Sequence, residues 1–452
     1  MEKQREQILN GNLRSLLFKF SLPAITGMVV NALYNMVDTI FVGNGVGPLG
    51  IAGLTIVFPI QFLMMAIGLM IGVGAASIIS RSLGKGEKDT AVNTAGNAIV
   101  VNMAVSIFFM VLAFIFIDDL LVFFGASPDV MPYAKDYMSV ILLGFIFFSF
   151  AISSNNIIRS EGKPRAAMYP MIIGAVTNII LDPIFIFVFR MGTRGAAIAT
   201  IISQVASCIY IIAYLSSSKS IFKFNLRMFI IKFSLIKNII FIGFPTFLMQ
   251  TIGSIVILLF NRVIIHYGSD LYIAIMGIGF RLITFIQMPI IGISQGFATL
   301  VSFNYGAKKL ARVKKILAEA ILWSIVIAGP GFLIIMFFPE YLLRLFTSDT
   351  DLIIMGMNPI RIVVLLLPIV GLQILGGSFF QAIGRAVPAL LITISRQLLL
   401  LIPALLIMPV FLGLLGVWLA IPVSDFVSVI ITSAFILKEI RTFNRKLETS
   451  MS

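Results

Sequence analysis

Three carboxylates stand where lipid should surround the chain. Asp38 lies late in an apolar run over residues 21–43, Asp182 in a run over 167–189, and Asp425 in a run over 414–437. An acid at that depth is costly, so it faces a protein interior or a water-filled path and marks an ion or substrate route. Asn31, Tyr34 and Asp38 fall at i, i+3 and i+7 and share one helical face. Asn178 precedes Asp182 by one turn and shares its face as well. Thr200 lies five residues into the following run, at the same level, and Pro183 follows Asp182 directly. As its surroundings dry, a carboxylate takes up a proton or a metal cation, which neutral amide and hydroxyl oxygens can help to hold. The plainer alternative for Asn31 is a polar contact between helices. For an aspartate the cost of burial favours the pathway reading.

The elements that carry these residues are membrane spans. The chain has 452 residues, 59% of them hydrophobic and 12% charged, with a mean hydropathy of +1.07. Apolar runs of bilayer length recur along it, so the expected fold is an all-α polytopic membrane protein. Twelve spans are expected near 21–43, 49–80, 94–117, 137–158, 167–189, 195–215, 239–265, 271–302, 316–338, 354–380, 388–409 and 414–437. The second and eighth exceed the length a bilayer needs, so they tilt or extend past it. The single cysteine, Cys208, excludes a disulfide within the chain and reads as packing. The single histidine, His266, reads as interfacial, and one His with one Cys argues against a transition-metal site.

Residues 1–20 mix Lys3, Arg5, Arg14 and Lys19 with Glu2 and Glu6 and lack the pattern of a secretory signal. They are expected to form a cytoplasmic amphipathic leader. With the N-terminus inside, most of the 33 Lys and Arg fall on inner segments: the leader, 81–88, 159–165, 219–237, 308–315, Arg385 and 438–446. This bias puts both termini in the cytoplasm, and the expected location is a prokaryotic cell (inner) membrane. The formal charge of +14 is therefore topology rather than a nucleic-acid footprint, being scattered over short loops.

The chain also repeats itself at an offset of about 222 residues. Pro23 matches Pro245; Gly74, Ser80 and Gly84 match Gly296, Ser302 and Gly306; Gly162 matches Gly384. Gly192, Gly195, Ala199 and Ser203 match Gly413, Gly416, Ala420 and Ser424 at 221. Six spans per repeat is an even number, so two six-helix lobes related by a pseudo-two-fold axis along the membrane normal are expected. The expected parts are the leader 1–20, an N-terminal lobe 21–216, a cytoplasmic linker 217–238, a C-terminal lobe 239–437 and a cytoplasmic tail 438–452. Departures from the repeat concentrate the chemistry. Asp38 corresponds to Phe260 and Asp182 to Ala404, so both acids belong to the first lobe.

Asp425 lies mid-span near Pro422. A membrane-buried acid pairs with a base, and Arg281 and Arg396 are available in the same lobe, so these three form an expected second-lobe charge network, with a direct ion role the alternative. Arg361 is expected to snorkel to the outer surface. Glu161, on the turn Ser-Glu-Gly-Lys-Pro-Arg, is expected to be solvated.

The pattern of Pro23 and Tyr34 before Asp38, the Asn178–Asp182 pair and Thr200, within twelve spans, resembles the multidrug and toxic compound extrusion (MATE) transporters. The resemblance covers nearly the whole chain, and Leu-Tyr-Asn-Met-Val-Asp-Thr-Ile-Phe-Val-Gly is specific to it. It implies a secondary active antiporter, not an enzyme, that exports hydrophobic organic cations and drugs in exchange for H⁺ or Na⁺ by alternating access. No cofactor beyond the coupling ion is implied. By the same resemblance, Asp38, Asn178, Asp182 and Thr200 would form the first-lobe cation site, with Tyr34 and Tyr137 nearby and Pro23 at the bend of the first helix. Asn31 and Gln250 are added as cavity candidates. Some members place an acidic site on spans 7 and 10, and here span 7 offers Gln250 and no acid. The expected partners are small organic cations and the bilayer, with a monomer as the working unit.

Two other classes fit less well. A flippase for a lipid-linked or amphipathic substrate could share the architecture, but an anionic cargo calls for several bases, and only Arg281, Arg361 and Arg396 lie well inside the spans, Arg262 standing at the outer end of its own. An intramembrane aspartyl protease needs a paired-aspartate motif, and neither Met-Val-Asp-Thr nor Leu-Asp-Pro provides it. No phosphate-binding glycine loop is present, so ATP is not the expected energy source.

Overall fold

The computed structural model describes residues 2–223, 226–347 and 349–448. Among them, 11 helices are long and apolar enough to cross a membrane, or 12 if one bent pair counts as a single span. The spans are Leu13–Val46, Pro48–Lys85, Lys88–Ile115, Met131–Ser160, Pro164–Pro183 continued by Ile184–Val188, and Gly192–Ser216 in the first repeat. The second repeat supplies Phe233–Tyr267, Asp270–Gly306, Leu310–Phe337, the pair Thr350–Val363 and Leu367–Ala382, then Ala386–Leu412 and Leu414–Glu448. Span 10 is thus broken, its halves meeting at 46°. Pro368, in the first turn of the second half, has no N–H to continue the first half's ladder, so the chain restarts there. Asp349 starts the first half by accepting the N–H groups of Asp351 and Leu352 at 2.9 and 3.3 Å. Spans 2 and 8 hold 38 and 37 residues. At 1.5 Å per residue either is about 55 Å long, well beyond a hydrocarbon core of about 30 Å.

The leader is shorter than expected. A helix over Glu2–Asn10 buries Ile8 and Leu9, and span 1 begins at Leu13 rather than at 21. Asn12 caps it, its side-chain oxygen accepting the N–H of Ser15 at 3.1 Å. Leu16, Leu17 and Phe20 are then buried, so the apolar face begins before the densest hydrophobic run.

The chain divides into two compact units, Met1–Asn10 with Leu22–Gln250, and Gly11–Ser21 with Thr251–Ser452. The first turns of spans 1 and 7 are therefore each grouped with the other repeat. Glycine permits this in both. In the first unit, a Cβ on Gly74 would stand 2.0 Å from the Ile239 carbonyl oxygen; in the second, one on Gly296 would stand 2.8 Å from backbone of Phe20. Gly74 and Gly296 are repeat mates, so the same close backbone crossing is built twice. A matching hydrogen bond recurs too: Ser80 donates to the Ser160 carbonyl at 3.0 Å, and Ser302 to that of Ala382 at 2.9 Å.

Glu161 is not solvated. It is 4% exposed, because residues after span 6 fold back over its turn. Ser220 donates its hydroxyl to the carboxylate at 2.8 Å and the Ile221 N–H does so at 3.2 Å. Gln4 of the leader helix donates to the Gly162 carbonyl of the same turn at 2.6 Å. Farther on, Asn97 donates to the Ile230 carbonyl at 2.9 Å and accepts the Lys232 N–H at 2.7 Å. Two anchors hold the linker along its length.

Candidate functional site

Span 1 carries Asp38 as a buried residue of a helix that runs unbroken through Pro23. Span 5 carries Asn178 and Asp182, both fully buried, and span 6 carries Thr200. Immediately after Asp182 the helix widens: the Phe189 N–H reaches back five residues to the Ile184 carbonyl at 2.9 Å. Pro183 accounts for this, since its missing N–H removes one α-helical bond and the following turn relaxes outward.

The four residues meet. Asn178 donates through its amide to Asp182 at 3.1 Å and to the Thr200 hydroxyl at 3.4 Å, while Thr200 donates to the Ala196 carbonyl at 3.0 Å. The carboxyl groups of Asp38 and Asp182 are within hydrogen-bonding reach of one another. A hydrogen bond between two carboxyls needs one proton; two ionised carboxylates in contact need a cation between them. Among the described residues, no hydrogen-bond donor reaches the buried oxygens Asp38 Oδ1, Asn178 Oδ1 and Asp182 Oδ2. An all-oxygen donor set of this kind suits a proton or a hard monovalent cation, and no group of three His, Cys, Asp or Glu that could hold a metal occurs among the described residues.

Tyr137 is buried beside the acids and accepts a hydrogen bond from Gln61 at 3.3 Å. Tyr34 is half-buried, Asn31 exposed and Gln250 half-buried. Gln61 is a site neighbour that sequence reasoning missed, although an amide in mid-span is itself a signal. Cys208 is buried with its thiol on the Phe147 carbonyl at 3.3 Å, as packing requires. His266 is exposed at the end of span 7, edge-on to Tyr267.

In the second unit, Arg396 Nε donates to Asp425 Oδ1 at 2.7 Å, the side chains being 16% and 7% exposed. Arg281, expected in the same network, is exposed and enters no ion pair among the described residues. Periodicity puts it in span 8 but does not say which face of that helix turns inward. Arg361 donates to the Met336 carbonyl at 2.9 Å. A second pair was not anticipated: Arg385 meets the buried Glu439 at 2.6 Å.

Repeated six-span units with buried acids in the first define a polytopic membrane transporter. The MatE family model matches the chain twice, over residues 23–184 and 245–407, at the spacing of the internal repeat. The chain belongs to the MATE family and is a transporter rather than an enzyme. It is 28% identical to the multidrug export protein MepA of Staphylococcus aureus over 398 residues, 88% of either chain. Among solved structures it resembles the MATE multidrug transporter DinF-BH, at 39% identity and a TM-score of 0.89, over 95% of this chain and 96% of that one. It also resembles a MOP-superfamily transporter from Pyrococcus furiosus whose pocket polarity is described as suggesting a different function. That likeness is at 28% identity and a TM-score of 0.92, over 97% and 98% of the two chains. MATE transporters work by ion coupling rather than with a cofactor.

Proposed function

We propose that this chain is a multidrug efflux antiporter that exports hydrophobic organic cations in exchange for H⁺ or Na⁺ by alternating access. The observation that supports it is the first-unit cluster, in which two carboxyls share one contact and three buried oxygens lack donors among the described residues. A proton or Na⁺ supplies what those oxygens lack. An ion that binds one conformation of the transporter more tightly than the other shifts their populations, so its gradient can drive export. Asp38, Asp182, Asn178 and Thr200 are the coupling residues in this reading. Tyr34, Asn31, Tyr137 and Gln250 line the substrate path, where aromatic faces attract cations. The termini are cytoplasmic, on the basic-residue bias, and one chain is the working unit. The multidrug names of MepA and DinF-BH support the substrate class.

The test is efflux of a fluorescent cation from proteoliposomes carrying ΔpH or ΔNa⁺, each imposed alone. One gradient is expected to drive export. Export driven by neither removes the antiport reading.

A further inference from the structure

A guanidinium in mid-span is the second unit's most expensive group, and only part of it is used. Arg396 lies ten residues into span 11, and Asp425 eleven residues into span 12, which starts from the opposite side. At 1.5 Å per residue each is about 15 Å from an end, near the bilayer centre. Asp425 takes one donor, Nε, at 2.7 Å. The two terminal nitrogens of Arg396 take no other partner among the described residues and are not sealed from access. Asp425 thus balances the charge while the outer edge of the fork, the edge that matches a carboxylate with two parallel hydrogen bonds, stays open.

The backbone presents this group in an unusual way. Residues Ser395–Leu401 form a π turn, with the Ile402 N–H reaching back to the Gln397 carbonyl, ahead of Pro403. Such widened turns are frequent at functional sites. On the same turn the Gln397 side-chain oxygen is buried without a donor among the described residues, and its amide nitrogen lies 4.0 Å from where a Gly253 Cβ would stand. This is a second polar group held in the spans with unused bonding capacity.

Architecture alone does not call for the pair. The repeat mates of Arg396 and Asp425 are Gly174, or its neighbour Ala175, and Gln204. Spans 5 and 6 therefore pack in the first unit without any ion pair at this place. Like Asp38 and Asp182, the pair is a departure from the repeat.

We propose that Arg396, balanced by Asp425 and presented by the π turn of span 11, is a specificity-determining residue that takes the anionic group of zwitterionic amphipathic substrates. Half-buried and held in place by Asp425, the fork discriminates a carboxylate from its ester through hydrogen bonds that the ester cannot replace in full. The inference rests on the efflux reading above and narrows its substrate class to include zwitterions.

The test compares an esterified cationic rhodamine dye with its free-acid form, in which the ester is a carboxylate. Binding is followed by dye fluorescence on purified protein and transport in proteoliposomes. Two variants are used: Arg396→Lys, which keeps the charge opposite Asp425 but loses the fork, and Arg396→Gln with Asp425→Asn, which removes both charges together. The free-acid to ester ratio is expected to fall about tenfold in both binding and transport. Because the ratio is internal to each sample, a less stable variant still reports it. An unchanged ratio overturns the proposal. A parent protein that binds and exports the ester but not the free acid also overturns it and leaves the efflux reading intact. Export of neither dye overturns the efflux reading, and the binding ratio then decides the anion site by itself.

Discussion

Gly243 of span 7 lies so close to Met70 of span 2 that a Cβ on Gly243 would stand 1.8 Å from the Met70 carbonyl oxygen. Backbone cannot yield there as a flexible side chain would. Gly243→Ala is therefore expected to force the two helices apart, at a cost of roughly 1–3 kcal/mol. Gly329→Ala is the control, since nothing lies within 4 Å of a Cβ there. Melting temperature in detergent reads the difference, and equal melting of the two variants would refute the crossing.

The shared contact of Asp38 and Asp182 leads to the second prediction. Asp38→Asn and Asp182→Asn each remove an ionisable oxygen pair while preserving size. Each is expected to abolish ion-driven efflux in a protein that still inserts and folds. Parental transport by both variants would leave the first-unit ion site without support.

Pro23 lies two residues past the point where span 1 passes from one compact unit to the other, at Ser21–Leu22. Pro23→Ala adds an N–H that can close one more helical bond and stiffen that junction. Transport is expected to slow more than equilibrium dye binding weakens. An equal loss of both would instead assign Pro23 to the substrate path.

The Arg396–Asp425 pair carries a stability prediction with a named partner. Asp425→Asn leaves the half-buried Arg396 guanidinium without its counter-charge, and a loss of up to about 3 kcal/mol is expected. Adding Arg396→Gln should restore part of it, whereas Arg281→Gln should not. A double-mutant cycle on thermal stability separates the two arginines.

Glu161 gives a pH dependence. Burial pushes its carboxyl up to about 7, opposed by the Ser220 hydroxyl, the Ile221 N–H and Lys163. The folded state then binds a proton that the unfolded chain, with an ordinary carboxyl near 4.5, has released. Stability is full below the unfolded value and falls as pH rises through the window to about 7. Glu161→Gln should flatten that slope between about pH 4.5 and about pH 7 in detergent. An unaltered slope would assign the dependence to another group.

Much of this protein is legible in one dimension because the bilayer imposes a one-dimensional code. Length, apolarity and the repeat offset fix the number of spans, and the cost of an intramembrane acid singles out Asp38, Asp182 and Asp425 before any contact is known. The one-turn spacing of Asn178 and Asp182 already implies their hydrogen bond. Span ends were less legible: the burial of Leu16, Leu17 and Phe20 that starts span 1 early depends on neighbours remote in sequence. Only the tertiary structure chose Arg396 over Arg281 for Asp425, since helical periodicity says which residues share a face but not which face meets a given partner. Only the tertiary structure buried Glu161, because its cover is a linker some 60 residues further along the chain. Short-range periodicity is written in residue types; contacts closed by long loops are decided by packing, where many side chains compete for the same space.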